Sequence, residues 1–319
     1  MNNKYLKIAL VLPLLTALLC GCSQTDEYPD TGISGAGRRP LGIASLSAPG
    51  VAAQTRTTTT PLPTDGEVGF FVLADAPHYS AVNNKKGVYK ADESLWLPVD
   101  SIWLANSTAK LAVYYPYDAA QTTAGKLNLK ATVRTDDTKD LWSARFEANS
   151  RTKDIALTLT QLYSRLSVTF VKLTDVPYTG TAALTQIKLA GTGIYAGATY
   201  NLQDGTYAYG TTGYTASLTG ITIKGTNAAA SDATKVDLLL PPYATLTGDI
   251  TLTATIDTKE MKITIPKAKL SNTLAAGKQY NITVKLKPTA LVLGSIQTSD
   301  WDSQTAFNGE AEMENPPTK

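Results

Sequence analysis

The chain has 319 residues, a formal net charge of +2 and 18% charged residues, against the roughly one quarter usual in soluble proteins. That balance excludes a basic field for nucleic acid. With only Cys20 and Cys22, one residue apart, it also excludes a disulfide framework. Polar surface must come largely from Thr, Ser, Asn and Gln, and sixteen tyrosines against five phenylalanines suit a β-rich extracellular protein.

In chain order, Lys4 and Lys7 precede an apolar run, Ile8 to Leu19, broken only by Pro13 and Thr16. This is the length of a signal-peptide core and too short to span a bilayer as a helix. Leu19-Cys20-Gly21-Cys22 then resembles the bacterial lipobox. That implies removal of residues 1–21, diacylglycerol on the Cys22 thiol, and an exported lipoprotein held at the outer membrane or cell surface. The rival readings are a soluble export signal beside an incidental cysteine, or a zinc or redox CxC, which lacks a second ligand pair. Residues 22–56, rich in Gly, Ser and Pro, read as a flexible tether. The threonine run that ends it, "TRTTTT", suits either linker or an early strand.

Ordered pattern starts near Glu67. "EVGFFVLA" is a short apolar strand, and "HYSAVNNKKGVYKA" reads as a polar crossing with a turn at Asn83 to Gly87. In "KLAVYYPY", Leu111, Val113 and Tyr115 share a face. Ile155, Leu157 and Leu159 alternate, as do Leu166, Val168 and Phe170. Further on, "ALTQIKLAG", "GIYAGATYNL", "SLTGITIKG" and "KVDLLLPPY" read as strands separated by turn residues. "DITLTATID" and "KEMKITIP" form a hairpin around Asp257 to Lys259, and "KAKLSNTLAAG" accommodates one short helix. "KQYNITVKLKP" alternates through Tyr280, Ile282, Val284 and Leu286, and "ALVLGSIQTSDW" supplies a last strand. Many short strands with turn-rich gaps indicate an all-β sandwich architecture. The halves divide near residue 165: 57–165, then 166–308, then a disordered tail, 309–319.

Chemistry is hard to place on this pattern. His78 is the one histidine and has no partner at metal spacing. No G-x-S-x-G elbow supports it as a catalytic base, so surface or turn packing is the simpler role. "AGTGIYAG" lacks the ending of a phosphate loop, and "RTDDTKD", with Asp136, Asp137 and Asp140, lacks a calcium-loop pattern and reads as a solvated loop. No carboxylate pair stands out for glycoside hydrolysis. Trp96, Trp103, Trp142 and Trp301 suit sugar stacking or, more simply, core and rim packing. No enzyme activity, cofactor or metal is expected.

The order of several short motifs carries more information. "TRTTTT", "GEVGFFVL" and "LAVYYPYD" precede "LAAGKQYNITVKL" and "IQTSDW". With the lipobox, this chain resembles the Bacteroidales fimbrillin family, the type V pilins and their accessory subunits, over nearly its whole length. Gly277, Tyr280, Ile282, Val284 and Trp301 carry the carboxy-terminal match. The resemblance implies two tandem transthyretin-like β-sandwich domains, and proteolysis after an arginine in the amino-terminal segment. Removing that segment takes away a strand, and another subunit's strand fills the groove. Arg56 is the cleavage candidate, with Arg38 and Arg39 as alternatives. The acidic, proline-ended tail after Trp301 suits a donor strand poorly. The expected role is therefore an accessory, tip or anchor subunit supporting adhesion or biofilm formation. Its expected partners are other fimbrial subunits, the membrane through Cys22 before maturation, and a host or bacterial surface receptor. The competing expectation is a glycan-binding surface lipoprotein of a nutrient-uptake system.

Overall fold

Alternating apolar and β-branched residues give strand through most of the chain. The computed structural model describes residues 37–48, 60–73, 79–173, 177–224 and 233–301, all in one compact unit. Cys22, Arg56 and His78 lie outside the described residues. The amino-terminal strands are β1 (Arg39–Pro40), β2 (Ser45–Ala48), β3 (Thr60–Pro61), β4 (Glu67–Val72), β5 (Val82–Lys90), β6 (Leu95–Pro98), β7 (Trp103–Leu104) and β8 (Ala109–Tyr115). Next come β9 (Lys126–Lys130), β10 (Thr132–Val133), β11 (Trp142–Ala148), β12 (Ala156–Thr158), β13 (Thr160–Gln161) and β14 (Ser164–Lys172). The remainder are β15 (Ala183–Ala190), β16 (Gly197–Asn201), β17 (Tyr207–Tyr209), β18 (Tyr214–Thr222), β19 (Thr234–Leu240), β20 (Ile250–Ile256), β21 (Lys259–Ile265), β22 (Lys278–Leu286) and β23 (Leu291–Asp300).

These pair into a six-stranded sheet, β13-β11-β8-β4-β5-β6, a five-stranded sheet, β10-β19-β14-β22-β23, and a four-stranded sheet, β18-β15-β20-β21. Three smaller sheets are β12-β2-β3, β17-β16-β9 and β1-β7. The five- and four-stranded sheets share one apolar core. Leu166, Val168 and Phe170 of β14 and Ile282 and Val284 of β22 meet Ile187, Leu252 and Ile263 across it. A second core joins Phe71 and Tyr114 of the six-stranded sheet to Leu127 and Leu129 of β9, with Leu239 and Trp301. β9 and β10 precede residue 165, yet they pair with β16 and β19, which follow it.

The β20–β21 hairpin turns through Asp257 and Thr258, both at positive φ (45° and 70°), the geometry of a tight two-residue hairpin turn. The short helix is a 3₁₀ turn, Lys267–Leu270. The polar crossing is instead β5, a nine-residue strand paired to both β4 and β6. Asn84, at φ 48°, bends it without breaking it. Gly87 is there for close approach: a Cβ would lie 2.3 Å from Phe70 Cε2. The expected flexible tether is also corrected in part, because Arg39–Pro40 and Ser45–Ala48 are paired strands and Ile43 between them bridges to Trp96. Its isolated apolar residues fall at spacings that reach the core.

Candidate functional site: an inlaid amino-terminal strand

The segment "RPLGIASLSA", Arg39 to Ala48, looks weak in isolation because its apolar residues are interrupted. In the fold the interruption is a change of phase. Leu41 (1% exposed) and Ile43 (0%) point inward, the half-buried Ala44 and exposed Ser45 shift the alternation, and Leu46 (2%) and Ala48 (0%) point inward again. Each fully buried Leu or Ile side chain contributes about 1.5–3 kcal/mol. Backbone pairing follows the same path. The Leu41 N–H donates to Ile102 O (2.7 Å), and Ile43 exchanges two bonds with Trp96 (3.0 and 2.8 Å). β2 then runs parallel to β12 and antiparallel to β3, so it is bonded on both edges. The Ala44 N–H donates to Ile155 O (2.8 Å), the Leu159 N–H to Ser47 O (2.7 Å), and the Leu62 N–H to Leu46 O (2.9 Å). Gly42 lets the segment approach β6: a Cβ there would sit 3.0 Å from Leu95 Cδ1 and 3.2 Å from Leu97 Cδ2.

Of the cleavage candidates, Arg39 lies within β1 and its Nη1 donates to Thr152 O at 3.0 Å. Arg38 is exposed beside it. Both precede the buried residues, so a cut at either leaves Leu41 to Ala48 attached to the body. Arg56 is the candidate between β2 and β3 in the sequence.

The carboxy-terminal motif residues converge on one place. Gly277, at φ 71°, donates its N–H to Tyr163 O (2.9 Å) and accepts from the Trp301 N–H (2.9 Å). Tyr280, Ile282 and Val284 are each at most 1% exposed, and the Tyr280 hydroxyl accepts from the Ala275 N–H (2.9 Å). The Arg165 guanidinium lies 5.7 Å from the centre of the Trp301 ring and also pairs with Asp237. Burial works against the Asp237 carboxylate, but Arg165 and then Lys235 hold it below the usual carboxylate range. Arg134 binds Asp140 through two 2.7 Å bonds, and the Asp140 side chain is fully buried. Asp140 is therefore no solvated loop residue: burial pushes its carboxyl up more than Arg134 pulls it down. The following Leu141-Trp142, both buried, was the available signal. Asp136 does keep a loop role, accepting from the Thr138 N–H to cap a short 3₁₀ turn.

Trp96, Trp142 and Trp301 are buried, so only Trp103, 49% exposed, has a face free for a sugar ring. Among the described residues no group of three or more His, Cys, Asp or Glu is placed to hold a metal ion. No helix there is long and apolar enough to cross a membrane.

Residues 55–301, well over half of the chain, match the fimbrillin-like family. The chain belongs to that family. All five carboxy-terminal motif residues lie inside the match, and the inlaid segment lies ahead of it. Two crystal structures share the fold. One is a candidate cell adhesion protein from Bacteroides uniformis, at TM-score 0.56 and 18% identity, covering 82% of this chain and 98% of that one. Another, from Bacteroides ovatus, has TM-score 0.56 and 14% identity over 82% of this chain and 98% of its own. A fimbrial protein from Bacteroides vulgatus aligns at TM-score 0.48 and 14% identity, covering 82% of this chain and all of its own. No curated protein sequence matches the chain.

Proposed function

We propose that this fimbrillin-like chain is a non-enzymatic fimbrial subunit of accessory, tip or anchor type, exported as a lipoprotein on Cys22, whose Arg39–Ala48 segment is a removable strand. The observation that carries this reading is β2 itself, bonded to β12 on one edge and β3 on the other, with Leu41, Ile43 and Leu46 buried along the same segment. While the connection to β3 is intact, the segment competes for its groove as a tethered ligand. Its effective concentration is then on the order of millimolar. Cleavage after Arg56 ends that advantage. Departure of the strand exposes unpaired N–H and C=O groups on β12 and β3, together with the pockets of its apolar side chains. An extended strand from another subunit satisfies both, supplying main-chain bonds for affinity and alternate side chains for fit. Two tandem sandwiches then present the outer one for adhesion, with Arg56 marking the switch from tethered to assembled subunit.

The test is intact mass and amino-terminal sequencing of the protein recovered from native cell surfaces. The expected assembled form begins at Thr57. A lipid-modified Cys22 on the dominant assembled species would sink the Arg56 proposal and favour a permanently tethered protein.

A further inference from the structure

We propose that the outer face of the four-stranded sheet, with the cleft at its edge, binds an acidic polysaccharide. The cleft, ≈ 480 Å³, lies where the β9–β10 connection meets β15 and the start of β18. Cavities of roughly 300–1,000 Å³ suit small ligands such as a few sugar rings. Lys130 and Lys188 stand on its rim, Thr212 and Thr215 contribute hydroxyls, and Tyr214, half-buried against the core, forms an apolar wall. The main chain of Lys130 is fixed: its N–H donates to the Tyr163 hydroxyl (3.0 Å), which donates back to Lys130 O (3.2 Å). Burial pushes the Tyr163 hydroxyl up to about 12, so it stays a donor at neutral pH.

Register continues the cleft into a row. Lys188 stands opposite Thr215 on β18 and opposite Thr253 on β20, and Thr253 stands opposite Lys262 on β21. With neighbouring strands 4.7–4.9 Å apart, Lys188 and Lys262 are separated by about 10 Å. Ile187, Leu189, Met261 and Ile263 turn inward, so these lysines turn outward, and Lys130, Lys188 and Lys262 are all exposed. None of the three has an ion pair among the described residues. The acidic residue on the same face of β21, Glu260, is about 7 Å along the strand from Lys262.

Cations spaced along a row, with the exposed Thr212 and Thr215 hydroxyls at its cleft end and Thr253 covered between Lys188 and Lys262, fit a polymer that repeats a negative charge and carries its own hydroxyls. An acidic polysaccharide does both. Nucleic acid or an anionic membrane would draw on a broad positive field, and a net charge of +2 does not supply one. The ligand's charge is a carboxylate or a sulfate, since lysine accepts either as a point charge.

The experiment is calorimetric titration of the full chain with polygalacturonate, dextran sulfate, neutral dextran and polyphosphate. Binding to one or both anionic polysaccharides is expected, with the tighter one identifying the charged group, and none to dextran. The double variant Lys130→Glu/Lys188→Glu is expected to weaken that binding by at least about tenfold with an unchanged Tm. Lys130→Gln/Lys188→Gln serves the same purpose if charge reversal disturbs folding. Absence of binding, binding unaffected by both variants, or polyphosphate bound as tightly as the better polysaccharide would each overturn the assignment.

Discussion

β2 and β23 stand near opposite ends of the described chain and are held by different forces. β2 has four residues, lies between two neighbours and contributes Leu46 and Ala48 to the interior. β23 has ten residues, is bonded to β22 alone, and has Leu291 as its one buried residue, with Leu293 and Ile296 partly buried against the core. The short strand is held mainly by what it buries, the long one mainly by a ladder and by Trp301, which follows it immediately. The contrast bears on exchange. Loss of an edge strand uncovers one edge, whereas loss of β2 uncovers two edges and a row of apolar pockets. A replacement strand gains more from the second.

The largest expected effect comes from removing the anchor of β23. Trp301→Ala takes out a 6%-exposed indole and its contact with Arg165, and should destabilise the chain by about 3–5 kcal/mol in urea unfolding. A loss below about 1 kcal/mol would mean that the ladder alone holds β23. Next is Leu46→Ala in the uncut chain, expected to cost about 2–5 kcal/mol. If it matches a surface substitution, β2 is held by backbone pairing and the contrast fails. Within β23, Val292→Ala (37% exposed) should change stability by no more than about 0.5 kcal/mol.

The smallest effect is expected at a turn that relies on neither burial nor a long ladder. The Asp257 carboxylate is held well below the usual carboxylate range by the Thr181 hydroxyl and the Ala183 N–H, then by the Ala182 N–H and the Tyr178 hydroxyl. Because its folded pKa is depressed, its contribution is complete above the unfolded value, near 4, and is lost as pH falls through the folded one. Wild-type Tm should fall more between about pH 5 and pH 3 than that of Asp257→Asn. Parallel curves would assign the acid sensitivity elsewhere.

The two ends also differ in how much of them could be read in advance. β22 alternates without interruption through Tyr280, Ile282, Val284 and Leu286, and all four are buried. The hairpin at Asp257 was equally plain, because β-alternation breaks there at a residue that tolerates positive φ. The amino-terminal segment was not plain, since Ala44 and Ser45 shift its alternation and its neighbours resemble linker. Asn83 to Gly87 misled for a related reason: Asn and Gly mark turns, yet here they accommodate a bend and the ring of Phe70. Asp140 sits in an acidic run, and its burial depends on Arg134 arriving from β10's flank.

The sequence by itself determined which stretches extend, which faces are apolar, and the all-β, fimbrillin-like character carried by the ordered motifs from "GEVGFFVL" to Trp301. Only the tertiary structure decided that Ser45–Ala48 is inlaid between β12 and β3, that β9 and β10 pair with strands beyond residue 165, and that Lys188 and Lys262 share a row. The reason is physical. Period-two alternation is a local property and shows which side of a strand seeks the core. The identity of the strand on each edge depends on competition among distant segments for the same hydrogen bonds and pockets, and no short window of sequence contains both competitors.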